Sequence, residues 1–429
     1  LSQIIPKHLE MFKKLFCQKL AIPDFEDFRD RIRTIYQETK KVHKGKVATY
    51  IPQIAKANPE LLGLSITTID GQQLHLGDYN EDFSIQSCCK TINYCIALDN
   101  HSADVVHKYV GKEPSGVEFN AITLDKNKLP HNPCTNAGAI MTCSLIGRDT
   151  MEIIVEDDHD ENENSFTELE SKLDVLSPPN SKTNSGNGKA LFHSQPSFGH
   201  LSAVNSSFSI YLSPYQQQAS FEADRFELLN SIWNKLFAGS KIGFSNSVYL
   251  SEKSTGHRNY ALGHFMMEQS PGFPTNTNLK GIMEFYFQCC ALEVTAKKLS
   301  YAAATLANGG INPLTGERIF SHDTVKHCLS IMFMCGMYDY SGEFAFKVGI
   351  PSKSGVSGAI VSIIPNVMGV CTFSPPLDKY GNSFRGGVFL AKLSEQFTFH
   401  HFDNLNPSEL SQKLDPRKSL ILNQTSFQH

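Results

Sequence analysis

The apolar and polar positions of this chain alternate with a helical period at the start and with a strand period at two separated places. Leu9, Phe12, Leu15 and Phe16 recur at helical spacing. After Asp24, placed as a cap, Phe25, Phe28, Ile32 and Ile35 do the same. Residues 1–40 are therefore expected to hold two amphipathic helices that bury those side chains. Residues 52–64 read as a helix and 65–70 as a strand, and Asp70-Gly71 between apolar alternations predicts a hairpin. The segment 87–98 is apolar around most of its girth, which predicts a buried helix. Further helices are expected at 221–237 (with the single tryptophan, Trp233), 257–268, 281–308 and 322–336, with Asn308-Gly309-Gly310 as a stop. Short strands are expected at 344–348, 359–364, 367–372 and 387–390. Strands at both ends with helices between them predict an α+β fold, in which one mixed sheet built from both ends of the domain lies under a helical subdomain.

Between these regions the pattern lapses. Glu156-Asp157-Asp158-His159-Asp160-Glu161 opens a stretch to about 218 rich in Ser, Asn, Pro, Gly and Gln, expected to be a disordered insertion. The acidic run reads as a solvated charge block and not as a metal site. The expected organisation is a helical segment at 1–40, a catalytic domain at 41–402 interrupted by the insertion at 147–220, and a polar tail at 403–429.

The 429 residues carry a net charge of −4 and are 41% hydrophobic, so nothing marks a nucleic-acid or acidic-membrane footprint. No apolar run is long enough for a membrane-spanning helix, which needs about 18 residues. The eleven cysteines include two adjacent pairs and no C-x-x-C, which points to reduced thiols in an intracellular compartment, with no zinc site. The chain starts at Leu1, so no targeting segment is expected within it.

The chemistry concentrates at Ser87-Cys88-Cys89-Lys90. A serine three residues before a lysine shares a helix face with it, where the amine can take the serine's proton. In a first helical turn, free N–H groups and the helix dipole also favour an oxyanion. Downstream, Lys353-Ser354-Gly355 completes the S-x-x-K and K-[ST]-G pair of penicillin-recognising enzymes, where the second motif lies on a strand facing the serine. The alternative is that Ser87 caps a helix and Lys90 is a solvated lysine. The apolar helix that follows favours a buried Lys90.

A larger set of blocks carries a resemblance. Tyr50-Ile-Pro-Gln-Ile-Ala, Gln86-Ser87-x-x-Lys90, Gly111-Lys-Glu-Pro-Ser-Gly116, Asn136-Ala-Gly-Ala-Ile140, Phe285-Tyr-Phe-Gln288, Cys335-Gly-Met-Tyr-Asp339 and Lys353-Ser-Gly-Val356 resemble those of the glutaminases, and of the kidney/liver-type animal enzymes in particular. The resemblance implies a β-lactamase-like, serine-dependent fold and hydrolysis of glutamine to glutamate and ammonia through a γ-glutamyl ester. It implies Ser87 as nucleophile, Lys90 as general base, Tyr338 as proton shuttle to ammonia and Tyr50 as an aid to the deacylating water. The N–H groups of Ser87 and Val356 would form the oxyanion hole. Gln86, Ser87, Tyr338 and Val356 would line the substrate site, Glu252 would hold the α-ammonium, and Asn136, Asn259 and Tyr286 the α-carboxylate.

A zwitterionic amino acid does need an acid for one end and donors for the other. Each residue also has an ordinary reading: Asn136 as a cap, Glu252 as a surface carboxylate, Tyr286 as core. The resemblance further implies no cofactor or metal, inorganic phosphate as an activator, a homodimer that associates into tetramers, and a mitochondrial location with the cytosol as the other option. Ala121 and Thr123 stand where the family places a lysine and a phenylalanine, and His257 and Gln269 replace a charged pairing used in filament growth. The tail carries no ankyrin repeats. The competing readings are a β-lactam or peptide hydrolase on the same fold, and a catalytically weak paralogue acting as a scaffold or regulator.

Overall fold

Strands from the two ends of the chain meet in one sheet, and that meeting positions everything else. The computed structural model describes residues 16, 20–149, 214–269, 271–403 and 413–418. The remainder of the first expected helix and nearly all of the expected insertion lie outside the described residues. Phe16 is 83% exposed, contrary to its expected burial. Helical spacing defines a face but does not supply a neighbour to cover it. The chain divides into one unit of residues 1–148 and 225–429 and another of 149–224. Of the second, the described part is residue 149 and the start of one helix.

Helix α1, Phe25–Lys40, begins where expected, with the Asp24 carboxylate accepting from the Asp27 N–H at 3.2 Å. The helix expected at 52–64 is a single turn, Pro52–Ala55. Asn58 precedes Pro59, and a residue before proline is pushed out of the helical region. Strands β1, Gly63–Thr68, and β2, Gln73–Gly77, form the expected hairpin around Asp70-Gly71, with Gly71 at φ +84°. Next come β3, Phe83–Ser84, a 3-10 turn, Gln86–Cys88, and helices α2, Cys89–Asn100, α3, Ala103–Tyr109, and α4, Asn136–Leu145. After α5, Pro214–Leu236, the chain runs through β4, Gly243–Phe244, α6, Asn246–Thr255, and α7, His257–Met267.

The helix expected at 281–308 is two, α8, Leu279–Cys290, and α9, Ala296–Ala307, separated by β5, Leu292–Val294. This strand pairs with both β3 and β4, and Thr295 then caps α9 through the Lys298 N–H, so tertiary pairing interrupts a continuous helical pattern. Helix α10, His322–Cys335, is followed by a 3-10 turn at Tyr338–Tyr340.

Two expected strands are helices. Residues 344–348 belong to α11, Ser341–Lys347, and 387–390 to α12, Phe384–Gln396. In the first, Ser341 bonds the Tyr338 carbonyl at 2.6 Å and starts a helical turn. In the second, the Ser383 hydroxyl caps the Gly386 N–H. Short apolar runs suit either period, and in α12 the cap decides. The closing strands are β6, Ser352–Gly355, β7, Ala359–Ile364, and β8, Met368–Phe373.

The main sheet has the order β2-β1-β8-β7-β6. Every pairing in it is antiparallel, so the α+β class holds but the sheet is not mixed. Helix α9 lies hard against one face: a Cβ on Gly369 would stand 2.2 Å from the Ala304 nitrogen. Helices α1 and α12 enclose the core cluster containing Phe28, Ile32, Ile66, Val370, Phe389 and Leu393. In the expected tail, Leu414 pairs with Phe397 and packs against that core.

Candidate active site

Ser87 sits at a forced corner. Ile85 still donates to the Leu292 carbonyl at 2.8 Å, continuing the line of β3. Gln86 then takes φ +49°, a left-handed conformation that costs a non-glycine residue roughly 1–3 kcal/mol. The chain turns at once into the 3-10 turn, so Ser87 lies in that turn rather than in the first turn of an α-helix as expected. The first N–H groups of such a turn have no intrahelical partner, and the Ser87 amide is one of these. Gly355 of β6 closes onto this corner. A Cβ there would lie 3.1 Å from both Cys88 Sγ and the Ile85 carbonyl oxygen. The K-S-G strand therefore faces the serine as the motif pair implies, through a glycine that allows the contact.

Lys90 is 1% exposed, in the first turn of α2. Burial, and after it the charge of Lys353, lowers its pKa to about 8. Its Nζ donates to Asn136 Oδ1 at 2.7 Å and to the Cys134 carbonyl at 3.2 Å. Asn136 is not a cap, because Thr135 caps α4 through the Gly138 N–H. Its Nδ2 donates instead to Asn259 Oδ1 of α7, at 2.9 Å.

Glu252 of α6 is 7% exposed and no surface carboxylate. Burial raises its pKa, while hydrogen bonds from Tyr50 and Gln86 and the Lys90 charge act the other way. Tyr50 Oη stands 2.6 Å from Glu252 Oε1 and 2.5 Å from Gln86 Oε1. Tyr50 is 48% exposed, while its hydroxyl is bonded inward to Gln86 and Glu252. Burial and the Glu252 charge keep that phenol protonated.

Tyr338 is also in the left-handed region, at φ +54°. Its hydroxyl donates to the Ser354 carbonyl at 3.1 Å, and Ser87 is the neighbour that opposes the effect of burial on it. Burial raises its pKa too, so it is a neutral phenol. Its ring lies 4.5 Å from that of Phe119.

Tyr50, Gln86, Ser87, Asn136, Glu252, Asn259, Tyr286 and Val356 line one cavity of about 310 Å³. Lys90 and Tyr338 are not among its walls; they reach it through Asn136 and Ser87. Tyr286, 4% exposed, is both core and cavity wall. Arg258 and Cys290 also line the cavity and went unnoticed in the sequence. The signals were there: Arg258 adjoins Asn259, and Cys290 stands four residues after Tyr286, on the same helix face. A larger open groove of about 520 Å³, elsewhere on the unit, holds none of the assigned residues, and two of its charged side chains, Lys235 and Glu317, pair with each other at 2.8 Å. Among the described residues no group of three or more His, Cys, Asp or Glu is arranged to hold a metal ion, and no helix is long and apolar enough to cross a membrane.

Comparison with known proteins identifies the family. The family profile described as Glutaminase matches residues 45–223 and 193–402. Over 417 residues the chain is 38% identical to the mitochondrial liver isoform of glutaminase from Rattus norvegicus, covering 97% of this chain and 57% of that protein. It is 37% identical over 373 residues to a glutaminase from Nostoc sp., covering 87% of this chain and 89% of the relative. The solved structure of a probable glutaminase, ybaS, superposes with a TM-score of 0.66 at 27% identity, covering 87% of this chain and 97% of that one. The chain thus spans just over half the length of the rat and mouse liver isoforms.

Proposed function

The chain belongs to the glutaminase family, and we propose that it hydrolyses L-glutamine to L-glutamate and ammonia through a γ-glutamyl ester on Ser87. The observation that carries this reading is one cavity in which a buried carboxylate, Glu252, and a pair of linked amides, Asn136 and Asn259, flank a serine backed by a buried lysine. Glu252 would pair with the α-ammonium. The amide groups of Asn136 and Asn259 would donate to the α-carboxylate, with Tyr286 beside them. The free amino acid is then held at both ends, with its side-chain amide directed at Ser87.

In the first half-reaction Ser87 Oγ bonds to the amide carbon as its proton passes to the neutral Lys90 amine. Negative charge on the former carbonyl oxygen is held by the Ser87 and Val356 N–H groups, a type of contact worth about 3–4 kcal/mol each in the transition state. The C–N bond breaks as Tyr338 Oη gives a proton to the departing nitrogen, and the Lys90 ammonium returns one to Tyr338. In the second half-reaction water attacks the ester and its proton goes to Lys90. Tyr50, held as a phenol, orients that water by hydrogen bonding and is not itself the base. Ser87 leaves with a proton, and glutamate is released.

The same reading makes the chain a dimer that associates into tetramers, with inorganic phosphate as an activator acting more weakly than on family members that keep the lysine and phenylalanine replaced here by Ala121 and Thr123. Its rat and mouse relatives are named as mitochondrial, which supports that compartment for this chain; fractionation of the source tissue tests it. The decisive assay is ammonia release from glutamine by purified protein, with asparagine and a chromogenic cephalosporin as controls. A colour change with the cephalosporin but no ammonia from glutamine overturns the proposal.

A further inference from the structure

Lys353 is fully buried on β6, and its ammonium has no carboxylate partner among the described residues. Its Nζ donates at 2.6 Å to the carbonyl of Ser354, the same oxygen that accepts from the Tyr338 hydroxyl. The Nζ also lies 4.7 Å from the centroid of the Tyr338 ring. A buried charge without a counter-ion is costly to fold around. Charge-neutral side chains of similar length would fill the same space, so its presence calls for an electrostatic reason.

We propose that Lys353 is a positioning residue, which through its fixed charge orients Tyr338 beside Ser87 and keeps the neighbouring Lys90 amine unprotonated. The proposal rests on the glutaminase reading above and assigns to the K-S-G lysine a role in readying the serine–lysine pair. Two contacts argue for the first half. The cation faces the Tyr338 ring, and it shares with the Tyr338 hydroxyl a single acceptor oxygen, so ring and hydroxyl are fixed from one point. That matters because Tyr338 is held at φ +54°, a conformation its own backbone does not favour.

For the second half, the titratable and charged groups facing Lys90 can be named. They are Lys353 of β6, Glu252 of α6, Cys290 of α8, Cys134 ahead of α4, and Cys89 on its own helix. Burial keeps the Cys134 thiol protonated, and hydrogen bonding to Cys89 with burial does the same for Cys290, so neither thiol offsets Lys353 as a thiolate would. Lys353 is the one positive charge among them, and it opposes a second positive charge on Lys90. Glu252 pulls the other way, and the substrate's α-ammonium would cancel that pull on binding.

The test compares Lys353→Gln, which is one atom shorter and keeps a donor but no charge, with Lys353→Arg, which keeps the charge. Lys353→Gln should lower kcat about 100-fold, the size typical of losing one preorganised electrostatic contact. Its KM should stay within about threefold and its Tm at or above wild type, since the removed charge was unpaired. The acid limb of its pH–rate profile should move to higher pH. Lys353→Arg should keep the wild-type limb. A limb unmoved in Lys353→Gln, or a fall in Tm that parallels the loss of kcat in both variants, would make the role one of packing and overturn the proposal. If Lys353→Gln does not fold, Lys353→Arg decides by the position of its limb. Labelling of Ser87 by a fluorophosphonate probe, followed by intact mass across pH, reads the same limb without glutamine. Labelling with the expected limb but no ammonia from glutamine would sink the substrate assignment and leave the Lys353 proposal standing.

Discussion

Lys90 Nζ and Asn136 Oδ1 stand 2.7 Å apart, and this bond orients both side chains. A neutral amine has two N–H groups and one lone pair. The Asn136 oxygen and the Cys134 carbonyl take both N–H groups, which leaves the lone pair free to accept a proton. With both amine N–H groups donating, Asn136 turns its oxygen toward Lys90 and its NH₂ toward Asn259. The proposed base and the proposed carboxylate holder are thus set by the same contact.

Asn136→Asp should therefore disturb both at once. A carboxylate beside Lys90 favours its ammonium, so the rising limb of the pH–rate profile moves to higher pH, and repulsion of the substrate carboxylate raises KM. Steady-state kinetics from pH 6.5 to about 10 check this. A variant with wild-type KM and limb would disconnect the two residues.

Activity should rise with pH through about 8, where Lys90 loses its proton. Ser87→Ala should fold normally and release ammonia at less than about 1% of the wild-type rate. A flat profile between pH 7 and 9 would assign the proton transfer to another group.

Glu252→Gln should weaken glutamine binding by about 2–4 kcal/mol with a smaller change in kcat, since the α-ammonium would lose its only buried carboxylate. Because burial raises the pKa of Glu252, the carboxylate is a charge the empty site holds at some cost, and the variant's Tm should not fall. An equal loss for a substrate analogue without the amine would refute the assigned pairing.

Gly355→Ala should lower kcat more than it raises KM. Its methyl group would lie 3.1 Å from Cys88 Sγ and the Ile85 carbonyl and press on the corner that holds Ser87. The stability cost should be about 1–3 kcal/mol, typical of overpacking. Wild-type kcat in a folded Gly355→Ala would show that the corner has room to spare.

His75 should make the fold acid-labile. Burial, with the Lys297 charge, depresses its pKa to about 4, while Nδ1 meets Ser65 Oγ at 2.8 Å and Nε2 meets Gln73 Oε1 at 3.0 Å. The unfolded chain binds the proton at about 6.5 and the folded chain only near 4, so stability is lost as pH falls through that window. Thermal melts at pH 7, 5 and 4 should show a smaller decline for His75→Gln than for wild type.

Much of this was legible from residues alone. Apolar periodicity and the Asp24 cap located α1, and Asp70-Gly71 located the β1–β2 hairpin. The motif pair singled out Ser87, Lys90 and the strand of Lys353 because side-chain chemistry at short spacing is encoded locally. Local pattern failed where partners lie far away in sequence. Residues 281–308 read as one helix because nothing nearby announces that Leu292–Val294 pairs with Gly243–Phe244 and with the far more distant Phe83–Ser84. Segments 344–348 and 387–390 are short apolar runs that suit a strand as well as a helix, yet Ser341 and Ser383 start helices there.

The site divides in the same way. The sequence alone determined which residue types were present, and so that an acyl-transfer dyad with amino-acid binding groups was at hand. Only the tertiary structure decided the values those groups take. The pKa of Lys90, the enclosure of Glu252, the left-handed turns at Gln86 and Tyr338, and the unpaired charge of Lys353 all depend on desolvation and on neighbours from distant strands and helices. Those are properties of a packed interior, which no local window of sequence contains.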